Sequence, residues 1–156
     1  MKLYPLVFSF RDIIAGNGYV ATVAMDGRVV LAEEEENDVW MFGVQPGGIA
    51  GGDRQKETAF VSFKKGYLGV LFDFAGEAVS FDEFKGKVTS FFSEINEPNL
   101  ADWEKSLADV RAKNLTLPDL AKVNSDARSP SLFIEEVAAA RVSSGANEFD
   151  QIAEAA

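Results

Sequence analysis

The chain has 156 residues, 47% of them apolar, with 25 acidic against 15 basic side chains and a net charge of −10. Such a length and apolar content imply one packed domain and exclude a wholly disordered chain. The absence of cysteine and histidine excludes disulfides, thiolate chemistry, Ser-His or Cys-His catalysis and the common histidine zinc sites, and the acidic balance makes direct nucleic-acid binding unexpected.

Taken from the start, the apolar patch of the first residues meets Arg11-Asp12 too soon for a signal peptide or a membrane span, so a cytoplasmic location is expected. Leu3 to Ile14 alternates as a strand should, with Leu6, Phe8 and Phe10 on one side. Asn17-Gly18 marks a hairpin, Tyr19 to Met25 forms the second strand, and Asp26-Gly27 signals another tight turn or a bulge. Arg28 to Ala32 resumes as strand. The acidic run Glu33, Glu34, Glu35 and Glu36 with Asn37-Asp38 predicts an exposed tip, since adjacent carboxylates repel and resist burial. Val39 to Gln45 returns as strand and completes an antiparallel meander.

Pro46 to Gly52 then reads as a glycine-rich turn leading into a long central helix, with Pro46, Gly47 and Gly52 shaping the turn and Asp53 as the N-cap. Phe60, Phe63, Tyr67, Val70, Leu71 and Phe74 share one helical face; Val61, Leu68 and Phe72 widen it, so the helix needs cover on more than one side. Lys64-Lys65, the one adjacent basic pair, is expected on its wetter side. Ser80 to Glu83 is a capping box opening a second helix to about Asn96. Asn99 is placed to cap a third, whose apolar side carries Trp103, Leu107 and Val110.

The expected fold class is therefore α+β: an antiparallel meander of three to four strands against a long central helix, followed by additional C-terminal helices. Residues 1–114 form the domain, and 115–130, rich in turn formers, a linker with one short turn after Pro118. In 131–156, Ser129-Pro130 opens a last helix to Val142 that carries Phe133, Ile134 and Val137, and a frayed tail follows from Asn147. That helix either folds back on its own core or serves as a dimerisation arm.

Candidate sites are few. The glycine-rich turn lacks both the Walker and the GxGxxG spacing, and Asp53 would oppose a phosphate there. Asp73, Glu77, Asp82 and Glu83 could gather a divalent metal, although a helix cap and a first-turn charge already explain Glu83 and Asp82. Trp40 and Phe42, alternating with Met41, either pack under the central helix or face an interface, where such residues are enriched.

Four short features occur in a telling order: Gly18-Tyr19-Val20, Pro46-Gly47, Gly52-Asp53, and Glu57 with Ala59. In that order the stretch from about Pro5 to Phe74 resembles the HicB-like antitoxin family, which sets a β-hairpin before Pro-Gly-Cys, then Gly-Asp-Thr, then a helix opening Glu-Glu-Ala. Gly48 stands at the family's cysteine position, and the hairpin from Asp26 to Phe42 is longer than the family's link. The resemblance implies a small unit related to a truncated RNase H-like layer that covers a small, basic, RNA-cleaving toxin. Family members often repress their own promoter through a C-terminal DNA-binding segment. Here the last predicted helix has Arg141 as its one basic residue and shows no DNA-binding motif.

The leading expectation is a non-enzymatic, homodimeric interaction module, without cofactor or metal. It would meet a small basic protein through Trp40, Phe42 and Glu33 to Glu36. The alternatives are a carboxylate enzyme, with or without a metal, around Asp53, Asp73 and Glu77, and a self-assembling structural protein.

Overall fold

The computed structural model describes residues 1–113, 129–137 and 151–155. They build an α+β fold: a six-stranded antiparallel sheet with helices on both faces. The strands are β1 (Lys2–Ala15), β2 (Val20–Glu35), β3 (Asp38–Gln45), β4 (Ala50–Asp53), β5 (Ser131–Glu136) and β6 (Gln151–Ala155). The helices are α1 (Lys56–Glu77), α2 (Phe81–Ser93) and α3 (Glu97–Lys113). The order across the sheet is β4-β3-β2-β1-β6. β5 lies on the same edge of β2 as β3, end to end with it: β5 takes Ala21 to Asp26 and β3 takes Arg28 to Glu35.

The hairpin signal Asn17-Gly18 holds, with Gly18 at φ +80° and Gly16 N–H donating to the Tyr19 carbonyl at 2.9 Å. Asp26-Gly27, by contrast, is no turn. β2 runs through it, paired with β1 without a break, Ser9 opposite Asp26 and Phe8 opposite Gly27. Tertiary demands override the local signal there. A Cβ on Gly27 would stand 2.4 Å from the Phe8 ring, and Asp26 accepts hydrogen bonds from Ser9 Oγ and, at 3.1 Å, from Ser131 Oγ. A bulge falls one residue later: Arg28 opposes Gln45 while Val29 opposes Gly43, leaving Val44 as the extra residue, turned toward α3.

The glycine-rich turn also differs from expectation. Pro46 to Ile49 closes a hairpin, with Gly43 N–H donating to Ile49 O at 2.8 Å, and the chain returns as β4 before α1 begins. Asp53 ends β4; its carboxylate accepts from Arg54 N–H at 2.7 Å. The N-cap of α1 is Gln55, whose N–H reaches Thr58 Oγ1 at 3.4 Å. Ser80 caps α2 as predicted, accepting from Glu83 N–H at 3.2 Å. Asn96, not Asn99, caps α3: its Oδ1 accepts from Asn99 N–H at 3.0 Å, and Asn99 Nδ2 instead ties the helix to Gly43 O at 2.9 Å.

α1 and α2 cover one face of the sheet. Leu6, Phe8, Phe10, Val23, Met25, Val29 and Leu31 from the strands meet Phe63, Tyr67 and Leu71 of α1 and Phe84 and Val88 of α2. Cover for α1 comes from the sheet below and α2 at its flank. Its outer side stays open, with Val61 51% and Phe72 56% exposed. α3 covers part of the other face, where Trp103 packs with Val7, Val30 and Val44.

The approach of α1 to β4 is close enough to need glycine. A Cβ on Gly51 would lie 2.3 Å from Phe63 N, in the helix backbone. Gly51→Ala is therefore expected to cost about 1–3 kcal/mol by overpacking. Gly69→Ala, in α1 with nothing within 4 Å, should instead gain about 0.5–1 kcal/mol of helix propensity. Chemical denaturation of the two variants checks the opposite signs.

The C-terminal expectations are corrected. Residues 131–136 form a strand, not a helix. Leu132 and Ile134 pack on the core while Phe133 stands 56% exposed on the other side, a period of two in so short a run that three-four spacing imitates it. Gln151–Ala155, expected to fray, pairs with β1 as β6. Both strands belong to the same sheet as the N-terminal residues. The linker predicted for 115–130 lies outside the described residues up to 128, as does the predicted helix beyond Val137.

Candidate functional site

Three clusters compete for a functional role. The first is the tip of the β2–β3 hairpin. Glu35 pairs with Asp38, and Glu36-Asn37 makes the turn, Asn37 adopting φ 62°. Glu34, Glu35 and Glu36 are exposed and Glu33 half-buried, as adjacent carboxylates demand. Asp53 lies opposite Val39 on β4 and adds another exposed carboxylate to this end of the sheet.

Beside the tip stand Trp40 and Phe42. Val39 and Met41 take the inward positions of β3, so Trp40 and Phe42 point to the opposite face and do not pack under α1. Their rings stack at 5.9 Å with an interplanar angle of 9°. Trp40 remains 38% exposed, donates Nε1–H to Asp38 Oδ1 at 3.0 Å, and rests on Gly52, where a Cβ would lie 2.6 Å from the indole. Gly52 thus serves as a seat for the indole. Pro46 and Gly47 hold the far end of the hairpin, Gly47 N–H donating to Glu94 O at 2.8 Å. The structure brings Glu33 to Glu36, Trp40, Gly52 and Asp53 to one end of the sheet and leaves Pro46 and Gly47 at the other end of β3.

The second cluster escaped the sequence reading. Lys64, expected on the wet side of α1, is 3% exposed. Its Nζ donates to Asp12 Oδ2 at 2.6 Å and lies 4.0 Å from the Phe10 ring centroid and 4.9 Å from that of Tyr67. Burial pulls the Lys64 pKa down from its ordinary value, against the pull of Asp12 in the other direction. Burial, then the charge of Asp12, pushes the Tyr67 hydroxyl up, and that hydroxyl has no hydrogen-bond partner. A signal was present: Lys64 falls between Phe60 and Tyr67 on the apolar stripe, and Asp12 shares strand parity with Phe8, Phe10 and Ile14. Buried between α1 and β1, this cluster holds the helix to the sheet.

A buried hydroxyl without a partner lowers stability, so Tyr67→Phe is expected to gain about 1 kcal/mol. The pH dependence follows from the raised pKa. The folded state keeps the Tyr67 proton where the unfolded chain releases it at about 10.0, so this stability is present below that value and lost as pH rises above it. Tyr67→Phe should flatten part of the alkaline loss in denaturation curves; Tyr19, raised in the same direction by burial and then the charge of Glu83, contributes to what remains.

The third cluster is the carboxylate set near α2. Asp73, Glu77, Asp82 and Glu83 are exposed. Glu77 pairs with Lys87 at 3.3 Å, and Glu83 accepts from Val79 N–H at 3.2 Å. Asp53 is at the other end of α1, so the residues of the carboxylate-enzyme alternative are not brought together. Among the described residues no group of three or more carboxylates is placed to hold a metal ion. Between α1 and α2 an open groove of about 560 Å³ is lined by Phe74, Glu83, Lys87, Phe91 and Glu94. Among the described residues no helix is long and apolar enough to cross a membrane.

No family model matches this sequence, and no curated protein or solved structure is significantly similar to it.

Proposed function

We propose that this protein is a non-enzymatic interaction module of the cytoplasm that covers a small, basic, toxin-like protein, in the manner of the HicB-like antitoxins its N-terminal half resembles. The observation that carries the reading is the pairing, at one end of the sheet, of an exposed acidic tip with a partly exposed, parallel-stacked Trp40 and Phe42. Aromatic side chains supply interface anchors, and surrounding charge sets the rate of encounter more than final affinity. A net charge of −10 favours a cationic partner through the same long-range attraction.

The test uses a defined probe: the small basic product of the adjacent reading frame, co-purified with the full chain. Reversing Glu34, Glu35 and Glu36 to lysine should slow association and weaken its salt dependence. Trp40→Ala should weaken binding by about 2 kcal/mol or more, as a hot-spot truncation does. A neighbouring product that is not basic, or binding indifferent to both changes, would overturn the proposal.

A further inference from the structure

We propose that Trp40 is a docking plate for an arginine side chain of the basic partner, with Asp38 and Glu35 as the carboxylates that meet its guanidinium. The inference rests on the reading of this end of the sheet as a docking surface, and it names the chemistry of the contact. Strand parity assembles the site. Asp38, Trp40 and Phe42 alternate along β3, so all three project from the same face of the sheet. Glu35 is paired with Asp38 across the hairpin and projects from that face too. The indole is held from below and at its rim. A Cβ on Gly52 would stand 2.6–2.7 Å from Cδ2, Cε2 and Cε3, so the glycine lies beneath the six-membered ring and covers one face of it. Asp38 Oδ1 accepts from Nε1–H at 3.0 Å and fixes the rim. The 38% of Trp40 that stays exposed therefore falls on the opposite ring face and the free rim. That surface is already oriented, so little side-chain ordering remains to be done on binding.

Two features point to a cation as the occupant. Glu35 and Asp38 are like charges directly opposite each other, an arrangement that destabilises a hairpin. A cation between them removes the repulsion. The negative face of an aromatic ring also attracts a cation within about 6 Å of its centroid, tryptophan most strongly. The protein holds two of its own cations in this way. The Arg28 guanidinium lies 4.5 Å over the Trp103 ring, and Lys64 Nζ combines the Asp12 carboxylate at 2.6 Å with the Phe10 ring at 4.0 Å. Shape then favours arginine over lysine. A guanidinium is planar and weakly hydrated, so it can lie flat on the indole while its N–H groups reach outward to a carboxylate. The bond from Nε1–H places the Asp38 carboxylate at the edge of the ring, where such a carboxylate is needed. An ammonium is a compact, strongly hydrated charge and gains less from a flat ring.

Short oligoarginine and oligolysine peptides of equal length carry the same charge and separate shape from attraction. Titrated into the full chain at one ionic strength, the oligoarginine is expected to bind about five-fold tighter or more. In a Trp103→Phe background, where Trp40 is the one indole, the oligoarginine should shift the indole emission and the oligolysine should shift it less. Trp40→Leu should bring the two peptides to one affinity. Asp38→Asn, which keeps an oxygen for Nε1–H and loses the charge, should shrink the preference. If Trp40→Leu fails to fold, Asp38→Asn still decides. Equal affinities for the wild type, or an arginine preference that survives either folded variant, would overturn the inference and leave the acidic tip standing as a docking surface. An arginine preference lodged at Trp40, together with a neighbouring product that is not basic, would sink the broader reading alone.

Discussion

Replacing Asp12 by alanine is expected to cost about 3 kcal/mol, because it leaves a buried ammonium without its counter-charge. The lower end of the range for broken buried pairs applies, since the Asp12 side chain keeps 16% exposure while that of Lys64 keeps 4%. The loss should depend on pH in a definite direction. The folded-state pKa of Lys64 already lies below its ordinary value of 10.5, and removing Asp12 lowers it further. Between the folded and unfolded values the unfolded chain binds the proton more tightly, so stability rises with pH toward 10.5. The penalty of Asp12→Ala should therefore shrink as the solution becomes alkaline. Pairing Asp12→Leu with Lys64→Met should return stability to within about 1 kcal/mol of the wild type, because an apolar replacement of both partners removes the desolvation cost along with the attraction. Guanidinium melts of the single and double variants at neutral and alkaline pH measure all of this. An Asp12→Ala variant as stable as wild type at neutral pH, or a penalty that grows with pH, would show that the pair does not hold α1 to β1.

Trp103→Ala is the second large effect, expected to cost about 3–5 kcal/mol as deletion of a buried aromatic. Trp103 is 4% exposed, donates Nε1–H to Leu6 O at 3.0 Å across the sheet, and carries the Arg28 guanidinium 4.5 Å over its ring. It is the main apolar anchor of α3, whose other apolar residues in this cluster, Leu100 and Leu107, are only partly buried. The expected signature is α3 leaving the sheet before the rest unfolds. Hydrogen exchange should accelerate across Glu97–Lys113, and an apolar dye should bind the uncovered Val7, Val30 and Val44. Uniform acceleration through α1 as well would mean that the two faces melt as one unit. Trp103→Phe should lose less, chiefly the hydrogen bond, about 1 kcal/mol.

These two anchors differ in how far the sequence announces them. The apolar stripe of α3 names Trp103 at once, as the stripe of α1 names Phe63, Tyr67 and Leu71. Strand alternation and the turn chemistry of Asn17-Gly18 likewise disclose the meander, because both signals are local and nothing distant contradicts them. Asp26-Gly27 carries an equally good turn signal, yet its meaning is set by Phe8, Ser9 and Ser131, far along the chain. Lys64 and Asp12 were concealed by their charge, since each is on an apolar face only in company with the other. The strand at Ser131–Glu136 is too short for its periodicity to decide, and its partner, β2, is more than a hundred residues away. At the acidic tip, exposure of the glutamates was readable from their repulsion. The outward turn of Trp40 was not, because either parity of β3 buries an apolar set.

The shared edge of β2 has a consequence during synthesis. Asp26 leaves the ribosome 105 residues before Ser131, with which it pairs. At roughly 5–20 residues per second that interval lasts about 5–20 s, throughout which the first half of β2 has a neighbour on one side alone. A newborn chain therefore presents a sticky ribbon to whatever passes. Cotranslational chaperone contact, mapped on stalled chains, should peak there and cease once residue 136 emerges.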